Sequence, residues 1–174
     1  MKENGVFFVT EAEKRMHRCC FTGHRPEKLH MPEQEVLIKL EKSILQAISE
    51  GINVFITGMA PGVDIWAAEI VIRLRDEERY PLKLIAAVPH PDFDQRWSLS
   101  WQKRYAAVMA AADLRREISP KYHRGVYQVR NEWMVDHSAR VIAVWNGQPS
   151  GTKNTIMYAN QNKVPVINII EEKA

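Results

Sequence analysis

The chain predicts an α/β fold, a three-layer αβα sandwich with a mostly parallel central sheet. Short apolar runs rich in Val, Ile and Phe alternate with longer amphipathic stretches from about residue 16 onward. That alternation is the pattern of parallel strands covered by helices on both faces. Turns bearing glycine or proline close several of the apolar runs. No repeat, low-complexity tract or linker divides the 174 residues, a length that suits one domain burying roughly two thirds of its unfolded surface.

Residues 1–15 read as an N-terminal extension, a short strand or hairpin arm laid on the body, and residues 16–174 as the single domain. The first core strand falls at 16–22 and leads into Gly23-His24-Arg25-Pro26-Glu27-Lys28. A helix over 32–50 turns Val36, Leu37, Leu40, Ile44 and Ile48 to one face, and Gly51 follows where a left-handed cap prefers glycine. Ile52-Asn53-Val54-Phe55-Ile56 is the second strand. The helix after it sets Val63, Ala67, Ile70, Val71 and Leu74 on one stripe. A third strand at 82–88 closes on Pro89-His90-Pro91-Asp92. Next comes a helix over 94–112, whose Trp97, Trp101, Tyr105 and Val108 share a stripe that reads as core in preference to a stacking platform. A short strand at 114–118, a loop at 119–125 and a helix at 126–138 follow. The apolar strand 139–145, the turn Asn146-Gly147-Gln148-Pro149-Ser150-Gly151, a helix over 152–162 and a strand over 164–170 complete the chain.

The formal net charge of +3, from 24 basic and 21 acidic residues, is too small to argue for nucleic acid by itself. Basic residues are interleaved with acidic ones, as in Arg73-Leu74-Arg75-Asp76-Glu77-Glu78-Arg79, which reads as a solvated helix end. Cys19 and Cys20 are neighbours in a strand and point to opposite faces, so they neither bridge each other nor share a metal. The six histidines form no HxxxH or HxH unit, so no metal site is expected. No apolar run is long enough for a membrane span, and a cytoplasmic location is expected.

Sheets of this kind bind ligands beyond the carboxyl ends of their strands. The loops at Gly23, His24 and Arg25, at Gly58 to Asp64, at Pro89 to Asp92 and at Gly147 to Thr152 therefore converge on one side. The central stretch is Thr57-Gly58-Met59-Ala60-Pro61-Gly62-Val63-Asp64. Its glycines bring backbone close to a guest, and the helix N-terminus behind them favours an anion such as phosphate. An ordinary tight strand-to-helix turn explains the same residues. Arg25 either clamps an anion through two hydrogen bonds or pairs with Glu27. Ser150, Gly151, Thr152 and Thr155 offer hydroxyls and N–H groups at a second helix start, or only cap it. Asp64 would contact ribose hydroxyls, act as a general base or cap its helix. Asp136, one helical turn from Glu132 and next to His137, is the other candidate base. The turn is neither GxGxxG nor a P-loop, so a standard dinucleotide fold and a P-loop NTPase are excluded.

Together these pieces resemble the YpsA-like family within the SLOG superfamily, over about residues 18–169. The carriers are Thr22-Gly23-His24-Arg25-Pro26, the run from Thr57 to Asp64, Arg130-Asn131-Glu132-Trp133-Met134-Val135-Asp136, and Ser150-Gly151-Thr152 with Thr155. The superfamily also holds the DprA/Smf DNA-processing proteins and the LOG phosphoribohydrolases, once called lysine decarboxylase-like. The resemblance implies a Rossmann-like domain that binds a nucleotide or a nucleotide-derived ligand. It places Gly58, Met59, Ala60, Gly62, Val63 and Asp64 on one wall of the site. Ser150, Gly151 and Thr152 form another, with Gly23, His24, Arg25, Arg130 and Asn131 completing it.

LOG hydrolases carry P-G-G-x-G-T-x-x-E, and Thr155 stands here where that glutamate would be. A hydroxyl cannot replace the carboxylate in activating water, which disfavours their reaction unless Asp64 or Asp136 takes over. The resulting expectation is a nucleotide-binding or sensing module that requires no cofactor. The alternative is a hydrolase of nucleoside monophosphates or ADP-ribose-like compounds. A third reading is single-stranded DNA binding, toward which S-G-T-x-x-T leans but for which the chain lacks a clustered basic run. The exposed sheet edges and the extension are compatible with a homodimer.

Overall fold

In the computed structural model, which describes residues 8–170, the alternation becomes a regular succession of strands and helices. Helix α1 (Glu11–Arg15) precedes β1 (Arg18–Gly23), α2 (Pro26–Leu29), α3 (Glu33–Ser49), β2 (Val54–Thr57) and α4 (Val63–Asp76). Then follow β3 (Lys83–Val88), α5 (Leu99–Ala111), β4 (Leu114–Glu117), α6 (Val126–Asp136), β5 (Arg140–Val144), α7 (Gly151–Gln161) and β6 (Val166–Asn168). The six strands form one sheet in the order β4-β3-β2-β1-β5-β6, and every pairing is parallel. The architecture is a Rossmann-like α/β fold. Strands β1 to β4 are laid outward in one direction, after which the chain crosses back to place β5 on the far side of β1. The loops leaving β1 and β5 therefore diverge, and a crevice opens over that junction.

The adjacent cysteines show how the layers are built. Cys19 packs in the cluster that holds Phe21, Phe55 and Leu84 from the sheet with Leu40, Ile44, Val71 and Leu74 from α3 and α4. Cys20 packs in the other cluster, with Ile56 and Val141 from the sheet, Met134 and Val135 from α6 and Ala159 from α7. Burial pushes the Cys20 thiol up to about 12 and Cys19 well above its ordinary value, so both stay protonated thiols. Trp66 is buried beside Trp101 at a centroid distance of 6.3 Å. No helix among the described residues is long and apolar enough to cross a membrane.

Local chemistry moves several boundaries. Residues 11–15 form a helix, not a strand or hairpin arm, because Thr10 and Glu13 close a capping box. The rest of that expectation, residues 1–7, lies outside the described residues. Pro26 opens the short helix α2 within an expected loop, and His30 ends it at φ 51°. Helix α5 begins at Leu99 instead of near 94, since Ser98 accepts from the Trp101 N–H and residues 92–97 form turns. Trp97 is thus not on the helix with Trp101. Strand β6 stops at Asn168, whose side chain exchanges two hydrogen bonds with the Trp145 backbone, at 3.0 and 2.9 Å.

At the end of β1, a Cβ on Gly23 would lie 2.6 Å from the Val63 Cβ. The close approach of strand β1 to helix α4 requires glycine there. Gly23→Ala should destabilise the fold by about 1–3 kcal/mol through overpacking, read from the urea midpoint. Gly151→Ala, where nothing lies within 4 Å of the added carbon, should shift stability by less than about 0.5 kcal/mol.

Candidate functional site

The turn between β2 and α4 is held by its own polar groups. The Thr57 hydroxyl donates to the Asp64 carbonyl at 2.9 Å and accepts from the Met59 N–H at 3.2 Å. Asp64 Oδ2 accepts from the Ala60 N–H at 3.2 Å. Behind this turn, Arg130 of α6 donates from Nη1 to the Gly58 carbonyl and from Nε to Asn131 Oδ1 at 2.8 Å. A Cβ on Gly58 would meet Asp64 Oδ2 at 2.8 Å and the Arg130 guanidinium carbon at 3.1 Å. Glycine at 58 therefore lets a carboxylate and a guanidinium approach the same backbone atom from two elements.

Both charges are nearly enclosed, with Asp64 8% and Arg130 6% exposed. Burial raises the Asp64 pKa, while Arg130, the Ala60 N–H and Arg25 act against it. Burial likewise weakens the hold of Arg130 on its proton, with Asp64 opposing, yet a guanidinium stays charged. The Arg130 guanidinium also lies 5.6 Å from the Phe93 ring centroid.

A cleft of about 180 Å³ opens above this pair, at the junction of β1 and β5. Thr22, Gly23, His24 and Arg25 form its β1 side, and Lys28 of α2 reaches in beside them. Ala60 and Asp64 come from the central turn, and Tyr127, Arg130 and Asn131 from α6. Ser150, Gly151 and Thr152 close it at the start of α7, and Phe93 stands at one end. Three cations, Arg25, Lys28 and Arg130, thus face one carboxylate. Arg25 makes no ion pair with Glu27 among the described residues; its guanidinium lies 5.9 Å from the Trp97 ring. His24 is 3% exposed, and neither ring nitrogen has a hydrogen-bond partner among the described residues. Burial lowers its pKa, with the Lys28 ammonium adding to the effect and Asn146 opposing it.

Ten of the residues singled out by sequence line this cleft: Gly23, His24, Arg25, Ala60, Asp64, Arg130, Asn131, Ser150, Gly151 and Thr152. Others stand behind it. Met59 is fully buried at φ 64°, and Val63 packs on Gly23. Gly62 has φ 91°, and a side chain there would meet Pro26 at 2.8 Å, so its role is to pass the chain beneath α2. Thr155 donates to the Gly151 carbonyl at 2.9 Å, which commits its hydroxyl within the helix. Asp136 ends α6 at the opposite edge of the sheet, where it accepts from the Tyr158 hydroxyl at 2.9 Å. Glu132 is held instead by Gln128 and His137 by the Trp133 carbonyl, so these three form no cluster. Thr22, Lys28, Phe93 and Tyr127 were not anticipated. Lys28 falls one helical turn after Arg25, a spacing that was available; Phe93 and Tyr127 carried no local signal.

The YpsA family model, described as the YspA SLOG family, matches residues 19–169. The chain is 27% identical over 141 residues to the UPF0398 protein OB1025 of Oceanobacillus iheyensis, covering 76% of each. It is 31% identical over 142 residues to the uncharacterized SPbeta prophage-derived protein YoqJ of Bacillus subtilis, covering 72% of this chain and 82% of that one. In structure it is similar to DNA processing protein A from Helicobacter pylori, solved for its single-stranded DNA binding mode. There the TM-score is 0.58 and the identity 20%, over 90% of this chain and 66% of that one. The X-ray structure of TM1055 is similar at a TM-score of 0.55 and 14% identity, over 87% of this chain and 72% of that one. At such identities these two likenesses speak for the fold.

The raised Asp64 pKa sets a pH dependence. Its folded value lies above the ordinary 3.8, so the folded state holds this proton more tightly than the unfolded one. The resulting stability is present below the unfolded pKa and is lost as pH rises through the folded value. The stability of Asp64→Asn relative to wild type should therefore increase as pH climbs upward from 3.8, read from urea midpoints at successive pH values. A difference that stays flat with pH would show that burial does not govern this carboxyl.

Proposed function

The chain belongs to the YpsA family of SLOG proteins, and from that premise we propose that it binds a nucleotide or nucleotide-derived ligand through its phosphate. The observation that carries this reading is the convergence of Arg25 and Lys28, from the cap and body of α2, with Arg130 of α6 on one cleft beside the first turn of α7. Guanidinium groups pair with phosphate oxygens through two parallel hydrogen bonds, and the helix start adds N–H groups and a partial positive charge. Gly151 leaves that helix start open to close approach. Asp64 accepts from the ribose hydroxyls in this arrangement, away from the phosphate.

Binding or sensing is favoured over hydrolysis. Asp64 is the one carboxylate among the described residues that line the cleft, and one of its oxygens already accepts from Ala60. A cytoplasmic setting fits the two buried free thiols. Single-stranded DNA is the second reading, supported by the likeness to DNA processing protein A, because a cationic cleft accepts a backbone phosphate as readily as a mononucleotide.

Titration with AMP should raise the melting temperature. At about one hundred times the dissociation constant the stabilisation is about 2.7 kcal/mol, roughly 5–10 °C for a chain of this size. Arg25→Ala should weaken AMP by roughly 30-fold, the loss of about 2 kcal/mol of charged hydrogen bonding, while the unliganded protein melts near the wild-type temperature. Tight binding of oligo-dT with a steep salt dependence, and no response to AMP, would replace the nucleotide reading with the DNA one.

A further inference from the structure

Beside the polar cleft lies a second cavity of about 480 Å³, walled by His90, Phe93, Trp97, Tyr122 and Tyr127 and rimmed by Asp92, Gln95 and Arg96. Phe93 and Tyr127 belong to both cavities. Two of the three cations of the polar side lie over rings of this second cavity, with Arg130 over Phe93 and Arg25 over Trp97. It gathers five aromatic rings, from the loop after β3, the loop after β4 and the first turn of α6.

Three of the ring pairs are packed edge to face, and those that Tyr127 makes with His90, Phe93 and Tyr122 are tilted. Phe93 meets Trp97 at 4.8 Å and an interplanar angle of 75°. His90 meets Phe93 at 5.8 Å and Tyr122 at 5.6 Å, both close to perpendicular. Tyr122 is nonetheless 61% exposed and Tyr127 42%. An exposed ring in such a bay is a free stacking surface, and base–aromatic stacking accepts any base because every base has a π-face. A second observation points the same way. His90 is only 6% exposed and its Nε2 has no hydrogen-bond partner among the described residues, so the wall holds a polar atom that an apolar occupant would leave unmet.

We propose that this bay receives the base of the nucleotide whose phosphate occupies the polar cleft, stacked against Tyr122 and Tyr127, with the base edge toward the His90 side and the Gln95–Arg96 rim. The inference rests on the phosphate reading above and deepens it: the ligand class becomes a nucleotide with an intact base, not a sugar phosphate or inorganic phosphate. The helix α6 is the joint between the two halves. Its first turn supplies Tyr127 to the base, and one turn later Arg130 and Asn131 line the phosphate side.

The test compares AMP with ribose 5-phosphate by calorimetry on the full chain, in wild type, Tyr122→Ala and Tyr122→Phe. Wild type should bind AMP at least ten-fold more tightly than ribose 5-phosphate, the order expected for stacking on aromatic side chains. Tyr122→Ala should shrink that ratio by roughly five-fold or more without changing ribose 5-phosphate affinity, and Tyr122→Phe should restore it. Equal wild-type affinities for the two ligands, or a ratio untouched by Tyr122→Ala, would overturn the base bay while leaving the phosphate cleft standing. Failure of ribose 5-phosphate and AMP alike to bind would overturn the phosphate cleft and the bay with it.

Discussion

The site depends on one enclosed cation. Arg130 sits beneath the cleft with its charge almost out of water, at a desolvation penalty of several kcal/mol for such an ion. Its neighbours compensate: the Gly58 carbonyl, the Asn131 amide oxygen, the Asp64 carboxylate and the face of Phe93. Each of those neighbours constrains something else. Gly58 must lack a side chain because Asp64 and Arg130 occupy the space that its Cβ would take. The turn then bends tightly enough to put Met59 and Gly62 at positive φ. Asp64 is drawn inward to the Ala60 N–H instead of projecting from the helix start. Since a buried ion pair is weak grounds for stability, this arrangement is better understood as a fixed positive floor for the cleft.

The sheet order decides what faces that floor. With β1 between β2 and β5, the glycine at the end of β1 lies against α4 on one side, and the turn after β5 swings away toward α7. The crevice is therefore lined by parts of the chain more than a hundred residues apart, such as Arg25 and Ser150. A packed scaffold holds them. Phe21 and Phe55 stack at 5.7 Å within the sheet, and α3 and α4 cover that face with Val36, Leu40, Ile44 and Leu74. The loops that carry the polar groups are short because the strands deliver them almost in place.

Much of this was legible in the residues before any coordinates. The stripes of α3 and α4 follow helical spacing, and the buried residues Val36, Leu40, Ile44, Ala67, Val71 and Leu74 lie on them. The loops named from strand ends do meet at one edge, because a parallel sheet leaves them no other place. What could not be read was side-chain commitment across the fold. Thr155 looked like a free hydroxyl, but only the helix geometry turns it back on Gly151. Gly62 looked like an approach path for a ligand, and it is Pro26, far away in sequence, that explains its lack of a side chain. The apparent absence of a basic cluster was also a property of one-dimensional reading: Arg25, Lys28 and Arg130 become neighbours through the fold, although the last lies a hundred residues downstream. Trp97 leaves the helical stripe for a local reason, since Ser98 caps α5, yet with Trp101 it still packs against the core that holds Tyr105 and Val108.

The site holds several costs in one place. Arg130 and Asp64 are charged or chargeable groups shut away from water, and the ring nitrogens of His24 and the Nε2 of His90 lack partners. A buried polar atom left unpaired costs about 1–3 kcal/mol, so these terms lower the stability that the two hydrophobic clusters provide. Residues at binding sites commonly store unfavourable terms that the rest of the fold offsets. On the proposed reading, an anion in the cleft would supply a counter-charge to Arg130, and a polar base edge in the bay would lie beside His90. Occupancy and folding stability are then linked through the same few side chains. A ligand that engages both halves would tighten α6 at Tyr127 and Arg130 together, whereas phosphate alone would act only on the second. On the proposed reading, that difference would give the site a means to distinguish a whole nucleotide from its fragments.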